Sequence, residues 1–183
     1  MHTPPYTPVE QRDRETFLAL MWALSYPGSL YTLPAADDAP LAVIAAALLD
    51  LETSFFTPDP GLQARLAQTG ARALPPERAA YHFYPALTPA DMPHVAAASP
   101  GSMLYPDRAA TLFIGCALDG DSPAFALRGP GISGAHAVRI GGLPADFWSQ
   151  RQRAMRFPLG WDVFLVDGLR VLGLPRTTAV EGA

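Results

Sequence analysis

Lysine is absent from this sequence of 183 residues, as is asparagine; all 13 basic side chains are arginines. Without a lysine amine the chain cannot form a Schiff base, and it cannot place a Walker A lysine on a phosphate. Cysteine is nearly absent too. A single Cys116 excludes an internal disulfide, a thiolate metal cluster and an iron–sulfur cluster held by this chain alone. It lies in the apolar run Ala109 to Leu118, which suits a small buried hydrophobe better than a nucleophile. Charge is sparse: 17 Asp+Glu against 13 Lys+Arg leave a net charge of -4, and only 16% of residues are charged. No basic stripe marks a nucleic-acid surface.

A long hydrophobic run is missing as well. Thr16 to Ala36 carries no charge, but Ser25-Tyr26-Pro27-Gly28 breaks it after the short run Phe17 to Leu24, so no membrane span is expected. Met1-His2-Thr3-Pro4-Pro5 lacks the basic and apolar regions of a signal peptide, and a cytoplasmic location follows as the expectation. What is present is apolar material, 49% of the residues, with 20 Pro and 15 Gly scattered without a period. Such a chain builds a core from short elements and many turns, here expected as one domain over residues 1–183.

The spacing of Phe17, Leu20, Met21 and Leu24 predicts a first helix over 8–25 with these four as its buried stripe. A strand follows at Ser29 to Leu33, then a helix from Ala39 to Leu51 with Leu41, Ile44, Leu48 and Leu51 facing the core. Phe55-Phe56 and Ala80 to Tyr84 read as strands, Pro60 to Gln68 and Ala90 to Ala97 as helical pieces. Thr111 to Leu118 reads as a strand buried on both faces, and Asp119-Gly120-Asp121-Ser122-Pro123 should turn it into a hairpin with Ala124 to Arg128. A helix from Pro144 to about Met155 precedes a second hairpin, Trp161 to Val166 with Arg170 to Leu174 across Asp167-Gly168. The pattern is α/β: a mixed sheet in a single three-layer domain with flanking helices.

Gly129-Pro130-Gly131-Ile132-Ser133-Gly134 formally fits a dinucleotide fingerprint. Pro130 offers no amide to a pyrophosphate, and Gly141-Gly142-Leu143-Pro144 leaves no room for the helix that must follow, so a tight turn is expected. His2, His82, His94 and His136 form no pair at metal-ligand spacing, and His82 within Tyr81-His82-Phe83-Tyr84 suits a hydrogen-bonded structural role. More specific is the C-terminal segment, Phe157-Pro158-Leu159-Gly160-Trp161-Asp162 and then Leu174-Pro175-Arg176-Thr177-Thr178. Asp162 sits in an apolar strand, where an ionised carboxylate needs a partner or several donors; an arginine is the only strong cation available, and Arg176 is a candidate. The alternative is an anion site in which Arg176, Thr177 and Thr178 hold a phosphate or carboxylate.

This segment resembles the C-terminal signature of the PhnH family, the H subunits of the bacterial carbon–phosphorus lyase system. Phe17 with Ser25-Tyr26-Pro27-Gly28, and Leu127-Arg128-Gly129-Pro130-Gly131-Ile132, agree in order, while residues 55 to 100 match only loosely. The resemblance implies a reduced pyridoxal-phosphate-dependent transferase fold without the cofactor site, no cofactor on this chain, a homodimer, and assembly with the G, I and J subunits. That assembly couples a phosphonate to the ribose of ATP with loss of adenine, and no catalytic or metal-binding residue carries over to this chain. The lysine-free composition agrees with a fold emptied of aldimine chemistry. Three roles stay open at this point: a non-catalytic subunit, a nucleotide- or phosphonate-binding enzyme using Arg176, Thr177 and Thr178, and a binding module in unrelated metabolism.

Overall fold

The computed structural model describes residues 6–34 and 39–182. The first five residues with His2, and the last two of the charge-free run, lie outside them. Helix α1 (Pro8–Ser25) opens on a reciprocal cap: the Glu10 amide donates to Thr7 Oγ1 at 3.3 Å and the Thr7 amide to Glu10 Oε2 at 2.8 Å. There follow β1 (Leu30–Thr32), α2 (Pro40–Leu48), β2 (Ser54–Phe56), α3 (Pro60–Leu66), β3 (Arg72–Ala73), β4 (Tyr81–Tyr84) and α4 (Met92–Ala97). The second half holds β5 (Thr111–Gly115), β6 (Ala124–Arg128), β7 (His136–Arg139), α5 (Asp146–Ala154), β8 (Asp162–Asp167), β9 (Arg170–Leu174) and β10 (Ala179–Glu181). No helix among the described residues is long and apolar enough to cross a membrane.

Seven strands form one mixed sheet in the order β1-β9-β8-β5-β4-β2-β3, parallel from β8 through β3 and antiparallel at β9 and β1. Helices α1, α2 and α3 pack on one face, and α4, α5 and a small antiparallel sheet, β10-β6-β7, pack on the other. Both faces are covered, which is why the central strands are apolar throughout. In-register Phe83, Phe113 and Phe164 stack across β4, β5 and β8, with centroids 4.9 Å apart at both steps. That spacing is the distance between neighbouring strands, so the ladder follows from pairing alone.

Three expectations change. The hairpin of Thr111 to Leu118 with Ala124 to Arg128 does not form, because β5 already has β4 on one side and β8 on the other; β6 leaves for the small sheet and pairs with β7 and β10. The helix expected to reach Leu51 stops at Leu48, where the Asp50 carboxylate takes the amides of Glu52 and Thr53 in a local turn. On α1 the buried residues are Thr16, Ala19, Leu20 and Ala23, while Phe17 is 52% exposed. Small side chains let α1 approach β9 so closely that a Cβ on Gly173 would lie 2.5 Å from the Ala23 carbonyl oxygen. Gly173→Ala should therefore push the helix outward and cost about 1–3 kcal/mol, read as a lower denaturation midpoint.

Gly129 to Gly134 connects β6 to β7 and opens no helix, as the turn reading requires. Gly131 has φ +82°, and a Cβ there would meet the Ser25 carbonyl at 2.7 Å, so this turn seats on the end of α1.

Candidate functional site

The C-terminal signature folds into one cluster around Trp161, Asp162 and Arg176. Trp161 is 2% exposed, and its indole N–H donates to the Ala98 carbonyl at 3.1 Å. Asp162, first residue of β8, accepts from the Arg176 backbone amide at 2.8 Å and from its guanidinium at Nε (3.3 Å) and Nη2 (2.7 Å). The same guanidinium reaches the Pro106 carbonyl with Nη1 at 2.6 Å. Such a two-pronged, charge-assisted contact meets the need of a carboxylate placed in an apolar strand.

Arg176, Thr177 and Thr178 differ in what surrounds them. Arg176 is engaged as above, Thr177 is exposed, and Thr178 is fully buried, with its amide donating to the Pro175 carbonyl at 2.9 Å. Sequence reasoning missed the residue behind this turn. Arg151 of α5 is 3% exposed and donates through Nη1 to the Thr178 carbonyl at 3.1 Å and through Nη2 to the Pro175 carbonyl at 2.9 Å. Burial lowers its pKa to about 10, against the charge of Asp162, which favours the cation. Two arginines thus clamp the Pro175–Thr178 turn, one from inside and one through Asp162.

The signature also ties down residues 98–108. Besides the Trp161 and Arg176 bonds, the Gly160 amide donates to the Pro100 carbonyl at 2.9 Å. A cleft of about 760 Å³ opens beside Arg151 between α5 and β10, lined by Trp148, Gln152, Met155 and Glu181. Glu181 already pairs with Arg128 at 3.1 Å. Among the described residues no group of three His, Cys, Asp or Glu could hold a metal.

Cys116 is half-buried, and burial with the nearby Asp167 carboxylate pushes its thiol up to about 12. It stays protonated, the state of an inert thiol. His82 is fully buried on β4, its Nδ1 3.2 Å from the Tyr84 hydroxyl and its ring against Phe56. Burial pushes its pKa down to about 4 from 6.5, the carbonyls of Ala79 and Pro76 opposing. Its folded-state pKa lies below the unfolded value, so the unfolded chain binds the extra proton and stability falls as pH drops from 6.5 to 4. The loss should approach about 3 kcal/mol. In His82→Gln this part of the acid sensitivity should vanish, checked by urea unfolding at pH 7 and pH 4.5.

The family profile described as "Bacterial phosphonate metabolism protein (PhnH)" matches residues 6–181. A C-P lyase subunit protein from Stutzerimonas stutzeri, HtxG, is 31% identical over 174 residues, covering 93% of this chain and 86% of that protein. The alpha-D-ribose 1-methylphosphonate 5-triphosphate synthase subunit PhnH of Rhizobium meliloti (strain 1021) is 34% identical over 191 aligned residues, covering 92% and 90%. The expected resemblance is thus carried by nearly the whole described chain, and the chain belongs to the PhnH family.

Proposed function

We propose that this chain is a subunit of a carbon–phosphorus lyase assembly in phosphonate catabolism, with no active site or cofactor of its own. One observation carries the reading: the charged residues of the C-terminal signature are spent on the chain's own backbone and on each other. The names of the two relatives, both subunits, support the assembly half. The assembly joins a phosphonate to the ribose of ATP with release of adenine, and this chain supports that coupling without performing it. Its partners are the G, I and J subunits and a second copy of itself, in the cytoplasm. Exposed apolar side chains on α1 and just beyond its end, Phe17, Met21, Trp22 and Tyr26, are the kind of surface that subunit contact covers. The single domain over 1–183 is a reduced pyridoxal-phosphate-dependent transferase fold, and the missing lysine supports the loss of that chemistry.

Ligand-dependent melting tests this against an anion site of Arg176, Thr177 and Thr178. A ligand that binds the native state raises the melting temperature by mass action. The subunit reading expects no shift with ATP or methylphosphonate on the isolated chain. A shift that Arg176→Ala abolishes would move the substrate site onto this chain.

A further inference from the structure

We infer that the tip formed by Met103, Leu104 and Tyr105, with Phe157 on the neighbouring turn, docks into an apolar, carboxylate-rimmed socket on another subunit; this rests on the subunit reading above. Leu104 is 84% exposed, Phe157 82% and Met103 71%, among the most exposed large apolar side chains of the molecule. Single exposed apolar residues are ordinary; a run of them at a loop tip costs solubility and marks a contact surface.

The tip is held in place. Ser102 and Tyr105 exchange backbone hydrogen bonds at 3.2 and 3.1 Å, and the Tyr105 amide also reaches Ser102 Oγ at 3.1 Å. Gly101, at φ +82°, packs so close that a Cβ would lie 3.1 Å from the Pro106 carbonyl oxygen. Outside the tip, Trp161, Gly160 and Arg176 bind the carbonyls of Ala98, Pro100 and Pro106. The Gly160 bond joins the base of the Phe157 turn to the base of the Met103 loop. The signature therefore braces an exposed apolar presentation from behind. Bracing of this kind lowers the ordering cost of binding.

Charge narrows the occupant. Residues 99–108 and 153–160 contain three arginines, Arg108, Arg153 and Arg156, and one carboxylate, Asp107, in a chain of net charge -4. Arg108 lies over the Tyr105 ring at 4.3 Å, and none of the three arginines has an ion pair among the described residues. An exposed apolar tip with Arg108 over Tyr105 and Arg156 next to Phe157 complements an apolar surface edged by acids. An anionic membrane offers similar chemistry; the family of subunits favours the protein.

The test uses the full chain co-expressed with tagged G, I and J subunits, beside the double variant Met103→Ser/Leu104→Ser. Both side chains are exposed, so the variant should melt with the wild type. Its retention on the tagged partners should fall about tenfold or more, and wild-type retention should weaken as salt rises. Equal retention of variant and wild type overturns the docking inference and leaves the subunit reading standing. Wild-type chain that is not retained at all overturns both. Tip-dependent sedimentation with vesicles of equal phosphatidylcholine and phosphatidylglycerol, with partner retention unchanged, overturns it in favour of a lipid surface.

Discussion

Trp161→Ala should remove about 3–5 kcal/mol of stability, a large share of the roughly 5–15 kcal/mol a domain holds. The indole is 2% exposed among Ala98, Val163, Leu174 and their neighbours in one core cluster, so its loss leaves a cavity that close packing cannot refill. It also strands the buried Ala98 carbonyl, which loses its donor at 3.1 Å. For a chain of this length the melting temperature should drop by roughly 10 °C. Trp161→Phe, which keeps much of the apolar volume and loses the donor, should fall between the two. An alanine variant melting within a degree or two of the wild type would show that the anchor role is wrong.

Arg176→Ala is the second large effect, expected at about 3 kcal/mol because it takes the cation from a carboxylate that is about four-fifths buried in the wild type, leaving one backbone donor in place of three contacts. Asp162→Ala should cost a similar amount, because the guanidinium keeps only the Pro106 carbonyl. The two losses should not add: in Asp162→Ala/Arg176→Ala the second substitution removes a charge that has already lost its ion-pair partner. A coupling of about 1–3 kcal/mol is the expected result of the cycle. Additive losses would mean that the pair does not act as a unit, and that Arg176 is free for another partner.

Much of this arrangement is legible from residue types alone. A carboxylate in an apolar strand needs a partner or several donors, an arginine is the only strong cation in a lysine-free protein, and Asp162 finds Arg176. The β8–β9 hairpin follows from Asp167-Gly168, a turn in which Gly168 takes φ +55°. Helix α1 begins behind Thr7-Pro8 and ends at Pro27-Gly28 because those residues cap and break locally. What fails is whatever depends on distant chain. Which face of α1 is buried depends on Gly173, some 150 residues away in sequence, leaving room for Ala23, so hydrophobic periodicity pointed at Phe17 and Met21 instead. The false β5–β6 hairpin has the same cause: turn chemistry is local, but a strand's free edge is decided by β4 and β8. Short strands of two to four residues, β3, β7 and β10, exist through their partners and carry little pattern of their own.

Arg151 went unseen because α5 carries two arginines, Arg151 and Arg153, within a polar stretch, and nothing in composition separates them. A signal was there in the spacing. Phe147 and Arg151 are four residues apart, on one helical face, and they are the two buried residues of α5. His82 was legible by the same logic on a strand: Tyr84 lies two residues on, on the same face, and supplies the hydroxyl at 3.2 Å.

The central claim is that this chain works inside an assembly and performs no phosphonate chemistry by itself. Co-expression with the G, I and J subunits, followed by mass determination of the purified species under native conditions, tests it most directly. A stable hetero-oligomer containing this 19.5 kDa chain is the expected result. A species made of this chain alone, with the other three assembled without it, would contradict the account.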